Sequence, residues 1–471
     1  MLFAVTFAAG YTLARSPVHA RGAARSAVRA AAPTEFASED AHLAALDAIA
    51  ELPAGFRVGT SGFTFTPKEA KITATMNLTA VVLDKPTSNW AAVFTRNAFC
   101  GAPIKIGRKR LSEGKALQAI LVNNKISNVC AEGTGVGDAE AVCDAAAASL
   151  GLKGGDAVLP CSTGVIGWRL PLDSMVFAMP ELAESLQGDS LLPAARAIMT
   201  TDRYPKLRAQ PAAGGRVCGI AKGAGMIEPN MATMLAFVLT DVAIPRGEMQ
   251  RMLRAAADAS FNCMSVDADQ STSDTLVCVS SNRVPLPDGE KAAAAALAEF
   301  EAALGAVCGQ LAEDTARNGE GTQHVIRVDV RGAPDAELAR GVGKAVVNSP
   351  LFKAAVAGND PNVGRLVSTV GSYLGSAAPE MELERCTMKM GGALIFEKGA
   401  FRISPSVEDE LYKTLSTARL SPAGDDASLP YPPHERCVEI AIDLGVGDAS
   451  AVVVGSDLTK EYVSINADYR S

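Results

Sequence analysis

The sequence predicts an α/β (α+β) fold built from layered sheets and helices. Beyond residue 55, short apolar or alternating stretches with strand character recur along the whole chain, and stretches of helical length lie between them. With 471 residues, 48% of them hydrophobic, the chain is long enough for two or more substructures with sizeable cores. Strands and helices that are interleaved in this way favour packed layers rather than separate all-α and all-β halves.

The individual elements follow from periodicity and from the residues that bound each stretch. Strands are predicted over residues 73–83, 91–95, 117–122, 158–162, 234–241, 275–280, 324–330, 387–396, 438–444 and 449–454. Helices are predicted over residues 138–150, 181–199 in pieces, 247–261, 290–316 and 336–357. Asp138 is the expected N-cap of the first helix, and Pro350 is expected to divide the last into two pieces. Residues 418–434, with four prolines, are expected to form an exposed loop.

Composition excludes several classes of function. Lysine and arginine total 44 against 52 aspartates and glutamates, so a net charge of −8 without a basic block argues against nucleic acid binding. The ten cysteines are scattered without a CxxC pair and the four histidines lie far apart, so neither a secreted disulfide framework nor a metal site is expected. The sequence contains no GxSxG elbow and no GxxxxGK[ST] loop. No run reaches 18 apolar residues, so no membrane span is expected.

Residues 1–34 have the composition of an organellar transit peptide. They contain many alanines and four arginines after Leu13, and no acidic residue precedes Glu35. We therefore expect import into a mitochondrion or a plastid, and exclude this segment from the fold. The apolar start could instead be a secretory segment ahead of a transit segment.

A glycine-rich stretch, Gly133-Thr-Gly-Val-Gly-Asp138, opens the first predicted helix. It could cradle a phosphate at the helix N-terminus. As a dinucleotide fingerprint it fails, because its spacing is GxGxG and about ten residues separate it from the preceding strand. A simple helix-entry loop is the favoured interpretation.

Residues 219–241 carry the main chemical hypothesis. A small-residue segment runs to Ala232 and Thr233, and the sequence then becomes apolar and strand-like. If the peptide between them were cut, Thr233 would hold a hydroxyl and a free α-amine whose pKa is roughly 7.7–8.0, so a nucleophile and its base would share one residue. The alternative is that Thr233 is an ordinary β-branched strand residue.

Three further positions could serve acyl chemistry. Thr163 and Gly164 follow a predicted strand and could supply two donors to an oxyanion, or form an ordinary turn. Lys222 could bind a carboxylate or be a solvated surface lysine, and Glu320, between two glycines, could approach an amine.

Taken together, the motifs resemble the ornithine acetyltransferase family of arginine biosynthesis, also called glutamate N-acetyltransferases, over about residues 55–471. The resemblance rests on segments in the family's order: Ile198-Met-Thr-Thr-Asp202, Ala221-Lys-Gly-Ala-Gly-Met-Ile227, Pro229-Asn-Met-Ala-Thr-Met-Leu235, residues 265–275, Gly319-Glu-Gly321, Val347-Asn-Ser-Pro-Leu351, Asp360-Pro-Asn-Val-Gly-Arg365 and Asn466-Ala-Asp-Tyr-Arg-Ser471.

The resemblance implies a layered fold of the DmpA/ArgJ-like type that cuts itself between Ala232 and Thr233. An α chain would then span residues 35–232 and a β chain residues 233–471, with two copies of each in a heterotetramer. Thr233 would carry an acetyl group from N2-acetyl-L-ornithine to L-glutamate without a cofactor. The resemblance implies an oxyanion hole from Thr163 and Gly164, and assigns substrate contacts to Thr200, Lys222, Thr233, Glu320, Asn466 and Ser471.

Two matters stay open at this level. Some family members also accept acetyl-CoA, and the sequence does not say whether this chain does. Residues 123–130 depart from the family's usual glycine, asparagine and alanine run, which puts loop contacts in doubt. The alternatives are a related amidohydrolase or aminopeptidase with an N-terminal nucleophile, and a nucleotide-binding or structural protein built on the Gly133 loop.

Overall fold

The computed structural model describes residues 36, 38–228, 234–420 and 436–467. The helices are α1 Glu39–Asp47, α2 Ala102–Ser112, α3 Gly135–Ser149, α4 Leu172–Glu184, α5 Leu192–Ala197, α6 Arg246–Ala259, α7 Glu290–Arg317, α8 Ala336–Asn348, α9 Pro350–Ala357, α10 Val363–Ala377, α11 Pro405–Ala418 and α12 Lys460–Ala467. The strands are β1 Phe56–Phe65, β2 Ala74–Thr87, β3 Trp90–Phe94, β4 Leu117–Asn123, β5 Val158–Ser162, β6 Lys206–Ala212, β7 Gly215–Lys222, β8 Leu235–Val242, β9 Met264–Ser265, β10 Thr275–Val284, β11 Val325–Ala333, β12 Thr387–Met390, β13 Ala393–Glu397, β14 Ala400–Phe401, β15 Val438–Asp443 and β16 Ala449–Ser456. The predicted α/β (α+β) class with layered sheets is confirmed.

Two sheets pack face to face and form the part of the fold that carries the site. One has the strand order β1-β2-β4-β5 and the other β3-β10-β8-β7-β6. A shared core between them contains Val81 and Ile120 from the first sheet and Phe237 and Val277 from the second. Helices α3 and α4 cover the outer face of the first sheet, and α6 and α7 cover that of the second. The result is a sandwich of four layers, helix–sheet–sheet–helix.

Strand β8 shows why the sequences of the central strands are continuous apolar runs. All eight of its residues are buried. Leu235 and Phe237 face the core between the sheets, whereas Ala236 and Val238 face the core under α6 and α7. Because side chains alternate along a strand and both faces are covered, both sets must be apolar.

A seven-stranded sheet of order β14-β13-β12-β15-β11-β16-β9 completes the fold. Helices α8, α10 and α11 supply apolar residues such as Val342, Leu366 and Leu411 to its core. Two segments next to this sheet contribute to the site: the segment before β11, which contains Glu320, and helix α12, which follows β16.

The sequence predicted many of these elements and did not predict others such as α2, β6, β7 and α10, and three of the predictions need correction. Helix α3 begins at Gly135 with Thr134 in the N-cap position, so Asp138 is not the N-cap. Asp138 instead lies in the first turn, where it accepts a hydrogen bond from the Thr134 hydroxyl and pairs with Arg169. The glycine-rich stretch is therefore a helix-entry loop.

The region predicted to be helical in pieces, 181–199, holds the end of α4 and the whole of α5. Helix α4 begins before the predicted start, at Leu172, because the helix continues through Pro180. The predicted strand region over 387–396 contains two strands, β12 and β13, which form a hairpin turned at Gly391 and Gly392.

Pro350 divides the last predicted helix as expected, at the first position of α9. The expected exposed loop falls mostly outside the described residues. Its described beginning includes Ala418 and Leu420, both buried, so that part of the prediction is wrong: the last turn of α11 packs into the core there.

Helix α7 is the one described helix that is long and apolar enough to cross a membrane by length and composition. The same test is passed by core helices of soluble folds, and here Phe300, Leu304 and Leu311 are buried against the second sheet. All ten cysteines lie in the described part of the chain, and each is a free thiol.

Candidate active site

The candidate site lies at one end of the sandwich, where strands of both sheets stop or start. Strand β5 ends at Ser162 opposite Asn123, and β7 ends at Lys222 opposite Leu235, the first residue of β8. A cavity of about 270 Å³ opens at this end. The antiparallel pairing of β7 with β8 thus brings the glycine-rich segment after Lys222 and the strand after Thr233 to the same edge.

The cavity gathers most of the residues that the sequence singled out. Six of the predicted site residues line it: Thr163, Gly164, Thr200, Lys222, Glu320 and Asn466. The other three, Ala232, Thr233 and Ser471, lie outside the described residues. Met234 and Leu235, which follow Thr233 directly in the chain, both line the cavity.

Strand alternation explains why Thr163 and Lys222 face each other. In β5, Leu159 and Cys161 point into the core between the sheets, and Thr163 continues that parity one step beyond the strand. In β7, Cys218 and Ile220 point into the same core, and Lys222, two residues further along, lies on the same side of the strand. The two side chains therefore meet across the end of the sandwich, where Lys222 Nζ donates a hydrogen bond to Thr163 Oγ1 at 2.9 Å.

Gly164 has a backbone conformation that requires glycine. Its φ is +117°, and a Cβ atom at this position would lie 2.1 Å from the carbonyl oxygen of Lys125. The neighbouring backbone is fixed on both sides, because Thr163 N donates to the carbonyl of Asn123 and Val165 N donates to that of Lys125. The Gly164 amide has no acceptor among the described residues.

Thr163 and Gly164 together form a pair of donors at the cavity wall. Since the Lys222 ammonium donates to Thr163 Oγ1, the hydroxyl proton of Thr163 remains available to a group in the cavity. The Gly164 amide is the second donor. Two fixed donors on adjacent residues are what stabilises the oxyanion of an acyl-transfer intermediate.

A buried ion pair lies behind Lys222. Asp202 accepts from Lys206, and neither side chain is exposed to solvent. Asp202 also accepts from the amide of Gly223 at 2.7 Å, so it holds the segment that follows β7. Burial acts to raise the pKa of Asp202, but the ammonium groups of Lys206 and Lys222 and its hydrogen bonds outweigh that and bring it to about 2.

Lys222 is 8% exposed, and burial lowers the pKa of its ammonium group from the ordinary lysine value. The carboxylates of Asp202, Asp274 and Glu320 oppose that shift and favour the charged form. The solvated-surface alternative for Lys222 is therefore wrong, because the residue is a buried cation at the cavity wall.

Glu320 places a carboxylate at the other side of the cavity. It is 8% exposed, its amide donates to the carbonyl of Ala224, and Asn466 Nδ2 donates to its Oε2 at 2.9 Å. Gly225 faces this carboxylate so closely that a Cβ there would lie 2.4 Å from Glu320 Oε2. The site thus presents a buried ammonium and a buried carboxylate to the same cavity.

Sequence reasoning missed Lys206 and the role of Asp202. Asp202 stood in a motif, but nothing in the sequence showed that a lysine four residues later, outside any helix, would neutralise it. Ser127, Ser273 and Asp274 also line the cavity and were not singled out by residue type or spacing.

Comparison with known proteins decides the family. A model described as the ArgJ family matches residues 64–471, which is most of the chain. The chain belongs to the ArgJ family. The arginine biosynthesis bifunctional protein ArgJ of Methylococcus capsulatus is 41% identical over 385 residues, covering 81% of this chain and 88% of the relative. The protein of the same name from Brucella suis is 38% identical, with coverage of 84% and 91%.

Among solved structures, the ornithine acetyltransferase of Mycobacterium tuberculosis complexed with ornithine is 35% identical and covers 38% of this chain and 94% of that chain, with a TM-score of 0.34. Membership of the ArgJ family makes this chain an acetyltransferase of arginine biosynthesis, a glutamate N-acetyltransferase of the ornithine acetyltransferase type that acts on small-molecule substrates.

The expected location is wrong. ArgJ relatives that match the chain are bacterial proteins, among them those of Methylococcus, Brucella and Bifidobacterium, which indicates a cytoplasmic enzyme rather than one imported into a mitochondrion or plastid. A transit peptide is likewise not supported. An alanine- and arginine-rich stretch is a matter of composition, and composition alone does not specify an import signal. Residues 1–34 lie outside the described residues.

Proposed function

We propose that this ArgJ protein cuts its own peptide bond between Ala232 and Thr233, and that the freed Thr233 carries the acetyl group from N2-acetyl-L-ornithine to L-glutamate. The observation that carries the proposal is the pair of donors, the Thr163 hydroxyl and the Gly164 amide, in a cavity that Met234 also lines. Thr233 is bonded directly to Met234, so the chain itself brings the nucleophile to within one residue of the cavity wall.

In the first half-reaction, the α-amine of Thr233 takes the proton of its own hydroxyl, and Thr233 Oγ attacks the acetyl carbonyl carbon. The charge that develops on the carbonyl oxygen is received by the Thr163 hydroxyl and the Gly164 amide. The bond between the carbonyl carbon and the ornithine nitrogen breaks, and the leaving amine takes the proton. Lys222 fixes the Thr163 hydroxyl with its oxygen as acceptor and its proton directed to the cavity.

In the second half-reaction, the amine of glutamate attacks the acetyl ester and Thr233 recovers its proton. Charges in the cavity suit these amino acids, because Glu320 offers a carboxylate to the ornithine amine and Lys222 offers an ammonium to a carboxylate. Thr200, Asn466 and Ser471 complete the proposed substrate contacts.

The proposal extends to donor range and assembly. The same acyl chemistry needs no cofactor, and acetyl-CoA is a second acetyl donor that would make acetylglutamate directly. The proposed cut gives an α chain that ends at Ala232 and a β chain, 233–471, and these assemble as an α2β2 heterotetramer. The two chains share the site, because Thr163 and Lys222 come from one and Glu320 and Asn466 from the other.

The test is a denaturing gel of purified protein together with an acetyl-transfer assay. Active protein is expected to give two bands. The N-terminal fragment should end at Ala232, and the C-terminal fragment should begin Thr233-Met234-Leu235. Thr233→Ala is expected to give one uncut, inactive chain. A single band from active wild-type protein would refute the proposal. Ornithine release that is equally fast without glutamate would favour the amidohydrolase alternative instead.

A further inference from the structure

A second cavity adjoins the site and shares part of its wall, and the proposed transfer between amino acids assigns no substrate group to the rest of it. Its volume is about 400 Å³, and Gly164, Val165, Thr200 and Thr201 line both cavities. Because Gly164 belongs to both walls, a molecule in the second cavity would lie beside the proposed oxyanion hole. A volume of this size is within the range of pockets that bind small molecules, roughly 300–1,000 Å³.

Side-chain hydrogen bonds build this second cavity in advance of any ligand. Asn124, which lines it, accepts from the amide of Asn77 at 2.8 Å and donates to the carbonyls of Ala197 and Met199 at 3.1 and 2.8 Å. The amide side chain thus ties β2 and the end of β4 to the segment that leads to Thr200. A wall held in this way loses little entropy when a ligand enters.

The lining suits a chain that alternates amides and alkyl groups. Ala70, Ile72, Trp168 and Met199 provide apolar surface, and the Thr75 side chain provides a hydroxyl. Ile72 is 43% exposed, although a large apolar residue on a short loop gains nothing from contact with water. An apolar cleft with a few polar groups is the usual character of a site for an extended organic ligand.

One lysine lines this cavity and two more lie on the loop that borders it, in a protein whose net charge is −8. Lys125 lines it, and Lys68 and Lys71 belong to the same loop as the lining residues Glu69 and Ile72. None of the three lysines has an ion-pair partner among the described residues. The one carboxylate of the loop, that of Glu69, accepts a hydrogen bond from the amide of Arg169. Three lysines against the one carboxylate of Glu69 leave an excess of positive charge among these four side chains, which favours an anionic ligand.

We infer that the second cavity holds the pantetheine arm of the acyl-CoA donor, with the nucleotide phosphates beside Lys68, Lys71 and Lys125. The inference rests on the proposed use of acetyl-CoA and assigns it a place. Acetylornithine has no such arm, so its transfer to glutamate does not need the second cavity. Of the available acyl donors, a CoA thioester combines an amide-rich arm with several negative charges.

The chemistry is the first half-reaction with a different leaving group. Thr233 Oγ bonds to the thioester carbonyl carbon, the carbon–sulfur bond breaks, and the thiolate takes the proton that the Thr233 amine removed from its hydroxyl. Free CoA thiol leaves through the second cavity, and glutamate then accepts the acetyl group as before.

The experiment compares three donors at saturating glutamate: acetyl-CoA, S-acetylpantetheine and acetylornithine. Ile72→Trp, which narrows the cavity, is expected to raise KM about tenfold for both thioesters. The double variant Lys68→Glu/Lys71→Glu is expected to raise KM about tenfold for acetyl-CoA at low salt and to leave S-acetylpantetheine unchanged, because that donor lacks the phosphates. Kinetics with acetylornithine are expected to stay within about twofold of wild type in every variant, since no interaction with that donor changes.

Lys291→Glu/Lys413→Glu is the matched control. It changes two exposed lysines that lie outside the residues lining the cavity, with the same change in net charge. It is expected to leave KM for all three donors unchanged. If wild-type protein uses acetyl-CoA and the cavity variants do so equally well, the inference is overturned and the proposed function stands. If the variants raise KM for acetylornithine or glutamate, the cavity serves the amino acids instead. If wild-type protein transfers acetyl from acetylornithine and not from acetyl-CoA, the proposed use of acetyl-CoA and this inference are both refuted.

Discussion

Lys222 donates its hydrogen bond to the Thr163 hydroxyl across 2.9 Å, and this contact joins the two central sheets at the end of the sandwich. Each residue continues the inward parity of its own strand, Thr163 after β5 and Lys222 at the end of β7. The contact leaves the hydroxyl proton of Thr163 to the cavity, so the packing of two sheets also sets the direction of a catalytic donor.

Replacing Thr163 tests that geometry. Thr163→Val keeps the shape and removes the hydroxyl, so kcat for acetyl transfer is expected to fall roughly 10²–10³-fold. Thr163→Ser retains the donor and is expected to keep most of the activity. Lys222→Met should lower kcat as well, and it should raise KM because Lys222 is also proposed to bind a substrate carboxylate. In kcat, the double variant Thr163→Val/Lys222→Met should be little worse than Thr163→Val, because for that step the two residues act through one hydrogen bond.

Steady-state kinetics and thermal unfolding of the four proteins are the measurements. Fully additive losses in the double variant would show that Lys222 acts independently of Thr163. Full activity of Thr163→Val would exclude its hydroxyl as an oxyanion donor.

Gly164→Ala is expected to abolish transfer. The new Cβ would lie 2.1 Å from the Lys125 carbonyl oxygen, and φ at this position is +117°, so the backbone must move and the amide donor with it. Gly167→Ala is the matched control, because its φ is +91° but nothing lies within 4 Å of the added Cβ. The control shares the backbone strain, about 1 kcal/mol or somewhat more, without the clash.

Activity is compared at a temperature where both variants are folded by circular dichroism. Equal loss in the two variants would attribute the effect to backbone strain alone. Loss confined to Gly164→Ala is the expected outcome.

Much of this arrangement was accessible from sequence, and the missing parts have definite causes. The apolar runs predicted β8 and β10 well because both faces of those strands are buried. Helix α2 was missed because Gly107 in its interior disfavours a helix, whereas Pro103 lies in the first turn, where proline is tolerated. Gly107 is there because a Cβ would lie 2.7 Å from the Phe94 ring.

The hairpin of β6 and β7 was missed for a different reason. Its outer strand β6 is an edge strand whose middle, residues 208–211, is only partly buried or exposed, so it lacks an apolar run. The turn at Ala213 and Gly214 uses positive φ at both positions. Without that hairpin the neighbours of Lys222 could not be derived. The resemblance of motifs supplied the site residues that periodicity could not.

Asp202→Asn is expected to destabilise the protein by about 3–5 kcal/mol, because it leaves the ammonium of Lys206 fully buried without its anion. Asp156→Asn is the control: it removes an exposed pair with Lys115, and its effect is expected to stay within about 1 kcal/mol. Urea unfolding at pH 7 measures both. A loss for Asp202→Asn no larger than that of the control would contradict the role given to the pair.

The same carboxylate gives a pH dependence with a defined sign. The pKa of Asp202 in the fold is about 2, below its unfolded value of 3.8. Its contribution to stability is therefore fully present above about pH 4 and is lost as the pH falls from there toward about 2. The difference in unfolding free energy between wild type and Asp202→Asn, measured from pH 2.5 to 7, is expected to shrink over that window. A difference that stays constant would show that Asp202 does not titrate as the buried pair requires.

Gly225→Ala tests the position of the Glu320 carboxylate without changing its charge. The added Cβ would lie 2.4 Å from Glu320 Oε2, so the carboxylate must turn away and its hydrogen bond from Asn466 must lengthen. We expect kcat/KM for acetylornithine to fall about tenfold or more, as it should for Glu320→Gln, which keeps the shape and removes the charge. Gly371→Ala in α10, where nothing lies within 4 Å of the added Cβ, is the control and should leave kinetics unchanged. A loss in Glu320→Gln with none in Gly225→Ala would mean that substrate needs the charge of Glu320 but not its present orientation.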